Sequence, residues 1–487
     1  PVFRQSRILQ MTMCIKEIHY FCLPQHIASV YKEDMRYGML LLLICVLNSE
    51  ARVWTEKENG RQINADVVKV YSRREVVLKK ENRQTITVPF DIFIPADVEH
   101  LEYLLKHRNR GRLHPVHWQE MNACFGIDLW QDEWLWDDTT SNTAHRLHIQ
   151  FESKTDFMEN YRGYMNGETH ILSEPAYATA LYGKENHVDS FNIIFLNQGD
   201  APYRYRDEAE EAIEAAAERL EMTLRQRLGK PRRDSIGRGD LREKVWRWDW
   251  NNHALLLSHM EGKFVTLRIM PYERAERGGR NDKLGYSALR TRVASCVKTL
   301  PNGDVIIKNI PMIAQGAKGS CPPATWERYL RYFEIPADMY LIAVVANTSA
   351  GGGTYPHEIK KAMQPLLSTY GRDLIELESQ IEMDEIAKQI DRGLPLMWSF
   401  TSTPGFQAIA NHHNAIRSGK EPEEPDLDIE ALEFRRGGGH ICMIIGYNRQ
   451  TDESCITDSW GPNYNQRWVP MKHLRNANTF SLSVLRW

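Results

Sequence analysis

A short polar segment, Gln315-Gly316-Ala317-Lys318-Gly319-Ser320-Cys321, stands directly before a stretch with the spacing of an amphipathic helix. The apolar positions of that stretch are Ala324, Trp326, Tyr329, Leu330 and Phe333. Pro322 suits a first helical turn, so the pattern predicts a helix that begins at Cys321. The partial positive charge at a helix N-terminus stabilises a thiolate, and Gln315 could place its side-chain amide beside the same sulfur.

Two further motifs follow downstream. His440 comes after three glycines and enters an apolar run that ends at Gly446. Asp458 follows a second apolar run and precedes Ser459, Trp460 and Gly461. If the two runs form adjacent strands, His440 and Asp458 lie side by side, and the chain order is Cys, His, Asp.

These residue types have complementary chemistry. A thiolate paired with an imidazolium is a strong nucleophile, so Cys321 and His440 could attack a carbonyl and then protonate a leaving amine. Asp458 would accept the second imidazole N–H, a role that Asn could also fill. Gln315 and the backbone N–H of Cys321 would hold the oxyanion, and Trp460 would shield the histidine from water. Alone, such a cysteine is usually a small buried residue and such an aspartate a turn residue; the combination favours catalysis.

Through these motifs, residues 301–487 resemble the papain-like cysteine peptidases, and more closely the bacterial branch related to the bacteriocin-leader peptidases. The resemblance implies a papain-like α+β domain with Cys321 as nucleophile, His440 as base, Asp458 in the place usually held by Asn, and Gln315 in the oxyanion hole. It further implies that Gly352 and Gly353 pair with an extended substrate, for which a flexible loop is the alternative. Among the departures from the family pattern are Lys318 and Pro322, which leave the substrate preference open.

Residues 52–105 predict a small β module. Asn59-Gly60 indicates a hairpin, short strands rich in Val and Ile follow, and residues 95–105 favour one helix. The module resembles the SH3-like homology domain first named in a eukaryotic actin-assembly protein. The resemblance rests on three segments: Arg52–Thr55, Val76–Lys79 and Ile86–Pro89. It implies a peptide or protein partner; a generic small barrel without a partner is the alternative.

The rest of the chain predicts a multidomain α+β protein. Residues 1–51 are predicted to be an upstream segment and a signal peptide. Residues 106–145 are predicted to be a tryptophan-rich linker that packs against a neighbouring domain. Residues 146–300 predict an α+β domain with an amphipathic helix over residues 207–228. Its strands are predicted at residues 191–196, 245–250, 254–259 and 263–270. The three domains are thus an SH3-like β-barrel, a middle α+β domain and the papain-like domain.

Composition limits the partners. The 487 residues are 42% hydrophobic and 26% charged, with 61 basic and 64 acidic side chains, so we expect several globular domains and no nucleic-acid partner. The expected substrate is a peptide or protein, and no cofactor or metal is expected. The 8 cysteines are too few for a disulfide framework. Cys442 and Cys455, on neighbouring predicted strands, are either core thiols or a disulfide.

An apolar run, Met39–Leu47, is too short to cross a bilayer. Basic residues before it and the small Ser49 and Ala51 after it favour a signal peptide over a buried strand. We expect translation to begin at Met35 or Met39. The mature bacterial protein would then begin near Arg52, in the periplasm or outside the cell, without stable membrane insertion.

Two other functions fit the same motifs. The papain-like domain could be an inactive platform in a binding or scaffold protein. Alternatively, the Cys-His-Asp arrangement could transfer an acyl group to an amine, as transglutaminases do.

Overall fold

The structure is a computed structural model that describes residues 52–71, 75–108, 114–197, 206–260, 263–281, 284–316, 321–346, 348, 356–378, 380–429, 432, 434 and 436–487. The predicted signal peptide, with its Met39–Leu47 run, lies outside these residues. Within the described ranges, no helix has both the length and the apolar character needed to cross a membrane. The chain divides into two compact units, residues 1–110 and residues 111–487.

The first unit contains a four-stranded antiparallel sheet whose strands pair in chain order. Its elements are β1 (Arg52–Thr55), β2 (Gln62–Tyr71), β3 (Glu75–Lys80), β4 (Thr85–Pro89) and helix α1 (Pro95–Arg108). The hairpin predicted at Asn59-Gly60 is confirmed, and Gly60 has a φ of 69° that suits the turn. The sequence pattern predicts two strands, at residues 61–65 and 66–71, but the structure has the single strand β2 there, with a register shift after Val67. Closure of this sheet into an SH3-like barrel remains a prediction.

The first sheet of the second unit, called here the second sheet, is antiparallel and has eight strands in the order β5-β6-β7-β8-β12-β11-β10-β9. Two short helices precede it: α2 (Trp118–Phe125) and α3 (Thr140–Arg146). Its strands are β5 (Gln150–Lys154), β6 (Glu159–Ile171), β7 (Glu174–Lys184), β8 (His187–Asn197), β9 (Arg232–Ile236), β10 (Glu243–Trp250), β11 (His253–Met260) and β12 (Phe264–Pro271). Helices α4 (Arg206–Leu228) and α5 (Tyr272–Glu276) complete this part. The helix predicted over residues 207–228 and the four predicted strands are confirmed as α4, β8, β10, β11 and β12, whereas β5, β6, β7 and β9 were not predicted.

One face of the second sheet is covered by α4 and by the tryptophan-rich segment. Trp130 is buried and donates from Nε1 to Nε2 of His253 at 3.2 Å, and Trp250 on β10 donates to the carbonyl of Val116 at 2.9 Å. The apolar residues of α4 pack into the same core. The packing role predicted for the tryptophans is therefore confirmed for Trp130.

The remainder of the second unit is built around a third sheet in the order β13-β14-β17-β16-β20-β15, with β18 between β17 and β19. Its elements are α6 (Tyr286–Ser295), β13 (Val297–Thr299), β14 (Val305–Ile307), α7 (Cys321–Tyr332), α8 (Met339–Val345), α9 (Pro356–Thr369), β15 (Asp373–Leu377), α10 (Met383–Ile390), β16 (Leu396–Ser402), α11 (Pro404–Arg417), β17 (Gly438–Asn448), β18 (Glu453–Thr457), β19 (Arg467–Pro470), α12 (Met471–Asn476) and β20 (Thr479–Arg486). The architecture is therefore multidomain α+β, as predicted.

Two features of this part position the candidate site. Helix α7 begins at Cys321, as predicted, and Thr325 of that helix donates to the carbonyl of Ile441 on β17 at 3.3 Å. Strands β17 and β18 are antiparallel neighbours with Met443 opposite Thr457. This register places His440 and Asp458 at the same end of the strand pair.

Candidate active site

Cys321 is the first residue of α7 and is 9% exposed. The first turn of this 12-residue helix contains no acidic side chain. The positive end of the helix dipole therefore lies at Cys321, without a neighbouring carboxylate in that turn.

His440 lies on β17 and is 7% exposed. Its Nε2 lies 2.6 Å from Oδ1 of Asp458. Burial lowers the pKa of His440, but hydrogen bonds to Asp458 and Cys321 outweigh it and raise the pKa to about 9. The ring is therefore an imidazolium at neutral pH, held between the thiol and the carboxylate.

Asp458 has no exposed surface and is bound on two sides. While Oδ1 contacts His440, Oδ2 accepts a hydrogen bond from Nη2 of Arg467 at 2.5 Å. Arg467 is fixed in turn, because its Nη1 donates to Gln407 at 2.7 Å and to Asn411 at 2.8 Å. Burial opposes ionisation, but the charge of Arg467 outweighs it and lowers the pKa of Asp458. Asp458 is therefore a carboxylate over the working pH range.

A second buried arginine, Arg328, connects the helix of Cys321 to the strand before Asp458. Its Nε donates to the carbonyl of Pro311 at 2.9 Å, and its Nη2 donates to Oγ1 of Thr457 at 2.5 Å. Burial lowers the pKa of Arg328 to about 10, against the opposing charge of Asp458. The carboxylate thus lies in a field of two buried cations.

Gln315 is held against the residue that follows Asp458. Its backbone N–H donates to the carbonyl of Ser459 at 2.8 Å, and the Ser459 hydroxyl donates to Oε1 of Gln315 at 2.8 Å. Because the side-chain oxygen accepts this bond, the NH₂ group of Gln315 points away from Ser459 and can donate to another acceptor.

Trp460 covers one face of His440. The two rings are stacked, with centroids 4.6 Å apart and planes 28° from parallel. The guanidinium of Arg467 lies 5.3 Å from the Trp460 ring centroid, so the indole also contacts the cation behind Asp458. This is the position that a shield of the His440–Asp458 hydrogen bond requires.

The structure thus brings together Cys321, His440, Asp458, Gln315 and Trp460, whereas Gly352 and Gly353 lie outside the described residues. Cys442 and Cys455 are buried free thiols, so the disulfide alternative is wrong. Burial raises the pKa of both thiols.

The sequence interpretation missed Arg467 and Arg328. Arg467 begins a short strand whose next residues are Trp468 and Val469, and it is itself buried. A charged residue that opens an apolar strand was the available signal, because a buried charge needs a partner. Arg328 gave no comparable signal, since arginine is common on exposed helix faces.

One sequence-family model matches the part of the chain that carries this site. Residues 307–482 match the sequence model of the family described as Peptidase_C39 like, which covers less than half of the chain. The solved structure of xylellain, a cysteine protease from Xylella fastidiosa, is similar at 12% identity over 40% of this chain and 88% of that chain, with a TM-score of 0.24. A search of curated proteins found no match.

Proposed function

We propose that this protein is a cysteine peptidase that hydrolyses peptide bonds through Cys321, His440 and Asp458. The observation that carries the proposal is the position of His440, whose Nε2 lies 2.6 Å from Oδ1 of Asp458 and whose ring is also hydrogen-bonded to Cys321. The match of residues 307–482 to the Peptidase_C39 like family supports the same class.

In the acylation step, the Cys321 thiolate attacks the carbonyl carbon of the substrate and forms a C–S bond. The carbonyl electrons move to oxygen, and that oxyanion accepts hydrogen bonds from the Cys321 backbone N–H and the Gln315 NH₂ group. The C–N bond then breaks as the His440 imidazolium gives its proton to the leaving amine.

In the deacylation step, neutral His440 takes a proton from water, which attacks the thioester carbonyl. The C–S bond breaks, the acid product leaves, and the thiolate–imidazolium pair is restored. Asp458 stays ionised throughout, because Arg467 binds its second oxygen, and it keeps the imidazole ring oriented.

The substrate is a peptide or protein. Gly352 and Gly353 would pair with its extended backbone, a role that rests on the sequence resemblance alone. Trp460 would exclude water beside the leaving group while it covers His440.

Selective alkylation tests the nucleophile. At about pH 6, iodoacetamide should label Cys321 before Cys442 and Cys455, whose raised pKa values keep them as neutral thiols. Cys321→Ser should lose activity by orders of magnitude with little change in the free energy of unfolding.

The rival functions predict different outcomes. Labelling of another cysteine while Cys321 stays unmodified would support a scaffold on an inactive papain-like fold. Transfer of the acyl group to an added amine, in place of release of a new carboxyl terminus, would support a transferase.

We also propose that the protein is exported after removal of a signal peptide, because a basic flank, an apolar run and small residues precede Arg52. Intact mass of the protein from its native host should correspond to a start near Arg52. Retention of residues 35–51 would disprove export by this route.

For the module that starts at Arg52, we propose a peptide or protein partner. Deletion of residues 52–105 should abolish partner capture without changing the cleavage of a short peptide.

A further inference from the structure

The loop that carries Gln315 is hydrogen-bonded to the second sheet through the backbone N–H and carbonyl groups of two of its residues. The backbone N–H of Met312 donates to Oγ of Ser153 at 2.9 Å, and its carbonyl accepts from Nδ2 of Asn160 at 3.2 Å. Two residues later, the N–H of Ala314 donates to Oε1 of Glu152 at 2.7 Å, and its carbonyl accepts from the Tyr164 hydroxyl at 2.7 Å. Strands β5 and β6 therefore fix the residue directly before Gln315.

Tyr164 also contacts the residue directly after Gln315. Gly316 has a φ of 70°, and a Cβ built there would lie 3.1 Å from Cε1, Cζ and Oη of Tyr164. The ring thus packs on the Gly316 backbone, and glycine is the residue that leaves room for it.

The same side chains connect to the helix of the nucleophile. Arg162, on the same face of β6 as Tyr164, donates to Glu152 at 2.9 Å and to the Tyr182 hydroxyl at 3.3 Å. The Tyr182 hydroxyl in turn donates to the buried Glu327 of α7 at 2.7 Å. One hydrogen-bonded network therefore holds both the Gln315 loop and the helix that begins at Cys321.

We infer that Tyr164 and Glu152 are positioning residues that orient Gln315 toward the oxyanion, so that the second sheet is a functional part of the active site. This inference rests on the proposed peptidase function. It assigns a catalytic contribution to residues outside the 307–482 stretch that matches the peptidase family.

The test compares Tyr164→Phe with Tyr161→Phe. Tyr164→Phe keeps the ring on Gly316 and removes only the hydrogen bond to Ala314, so kcat should fall about tenfold with little change in KM. Tyr161 lies on the same strand, but its hydroxyl binds Glu159 of its own sheet, and its substitution should leave kcat unchanged. Alkylation of Cys321 by iodoacetamide forms no oxyanion, so its rate should be equal in all three proteins.

These readouts separate failure of this inference from failure of the proposed function. Normal alkylation of Cys321 with an unchanged kcat in Tyr164→Phe would overturn the positioning role alone. Absence of selective Cys321 alkylation in the wild type would overturn the peptidase function itself. A parallel fall of kcat and alkylation rate in Tyr164→Phe would indicate a general disturbance of α7 and would also overturn the inference.

A second inference comes from a cavity of about 780 Å³ on the opposite edge of the second sheet, between the end of β9 and the residues after α5. Its lining is strongly basic: Arg232, Arg233, Arg238, Arg242, Arg277 and Arg280. The two carboxylates in the wall, Asp234 and Glu276, are already paired with Arg232 and with the buried Arg247. Among the side chains that the structure describes, none forms an ion pair with Arg233, Arg238 or Arg242.

A smaller cavity adjoins the first through three shared residues, Gly237, Gly278 and Arg280. It lies between the second sheet and the helices of the third-sheet part. Its lining includes Arg274, which is 8% exposed and pairs through Nη1 with Asp189 of the same lining at 2.6 Å. The unpaired basic side chains therefore belong to the larger cavity.

The two adjoining cavities together form one cleft. We propose that this cleft binds an acidic peptide segment. Guanidinium groups pair with carboxylates through two parallel hydrogen bonds, and several of them spread over one cleft suit successive acidic side chains. Arg331, near the C-terminal end of α7, lines the smaller cavity and lies roughly 15 Å along the helix from Cys321, at 1.5 Å per residue. The cleft would act as a separate recognition site for proteins with an acidic stretch.

Binding of a fluorescent hexaglutamate peptide tests this proposal by anisotropy. The variant Arg233→Gln/Arg238→Gln/Arg242→Gln should bind at least about tenfold more weakly than the wild type. The control Arg290→Gln/Lys298→Gln/Lys420→Gln removes the same charge from exposed sites elsewhere and should bind as the wild type does. Equal weakening of peptide binding in both variants would show that only the net charge of the protein matters, and would overturn the proposed binding site. Displacement of the peptide by an equal concentration of inorganic tripolyphosphate would assign the cleft to phosphate ligands and overturn the peptide proposal.

Discussion

At the scale of single residues, Arg467 determines what the candidate triad tolerates. From the sequence alone, asparagine should replace Asp458 well, because its carbonyl can accept the imidazole N–H. The structure gives Asp458 two donors, His440 on Oδ1 and Arg467 on Oδ2. An asparagine has only one oxygen for these two donors, and its NH₂ group must then face a cation.

We therefore predict that Asp458→Asn is strongly impaired. Leaving the buried Arg467 without its carboxylate should cost about 3–5 kcal/mol of unfolding free energy, measured by urea denaturation. The double variant Asp458→Asn/Arg467→Met removes the unpaired cation and should recover part of both stability and activity. Wild-type stability in the single variant would contradict the ion pair. The matched control is Arg475→Met, which removes a more exposed ion pair and should cost at most about 1 kcal/mol.

The pH dependence of activity follows from His440. Since its pKa is raised to about 9, the imidazolium that protonates the leaving amine is present at neutral pH and is lost as pH rises through about 9. We expect kcat/KM to decline on the alkaline side with a midpoint near pH 9. In Asp458→Ala, where the hydrogen bond and the charge that raise this pKa are absent, the midpoint should move to lower pH. An unchanged midpoint would mean that another group sets the alkaline limit.

At the scale of elements, helix α7 shows what sequence patterns could and could not predict. Its start at Cys321 and its apolar face were predicted, because spacing and proline placement are local properties. Its polar residues Thr325, Glu327 and Arg328 are also buried, since α7 lies between two sheets. One partner of Glu327, Tyr182, lies 145 residues away in the sequence, and no local pattern reports it.

The strands β5 and β6 escaped prediction for a related reason. Their inward-facing residues, including Glu152, Asn160 and Arg162, are polar, so the alternation of apolar residues that marks a half-buried strand is absent. Their burial is explained by the hydrogen bonds to the Gln315 loop and to Tyr182 described above. The candidate triad could be predicted from three motifs, whereas the network that holds it could not.

Glu327 provides a test at this scale. It accepts hydrogen bonds from Tyr182, from Arg331 at 2.7 Å and from the N–H of Met339 at 2.9 Å. Glu327→Ala leaves these buried donors unpaired and should lower the unfolding free energy by about 3–5 kcal/mol. The exposed helical pair of Glu221 with Arg225 supplies the control, where Glu221→Ala should cost at most about 1 kcal/mol. Equal losses of unfolding free energy in both variants would show that the buried contacts of Glu327 contribute no more stability than an exposed ion pair.

At the scale of the whole molecule, the two compact units have different importance for the candidate site. The site lies entirely within residues 111–487, and its loop and helix are bound to the second sheet. The peptidase-family match begins only at residue 307, after that sheet has ended. The structural unit that holds the candidate site is therefore longer than the family match.

We predict that a fragment of residues 114–487 keeps wild-type kcat/KM for a short peptide and unfolds in one cooperative transition by circular dichroism. A fragment of residues 301–487 should fail to fold stably, because it would expose Glu327 and the apolar Ile313 and Ala324, which are buried against the second sheet. Full activity in the shorter fragment would show that the second sheet is dispensable.

The pairing of β20 has a consequence for the timing of synthesis. This strand lies between β16 and β15, yet translation delivers it after every other strand of its sheet. Until then, β16 has only one neighbour, the strand β17 that carries His440. The strands of the second sheet are all synthesised earlier, so that sheet can already pack against α7. During synthesis, α7 can therefore pack against the second sheet before the third sheet has all of its described strands.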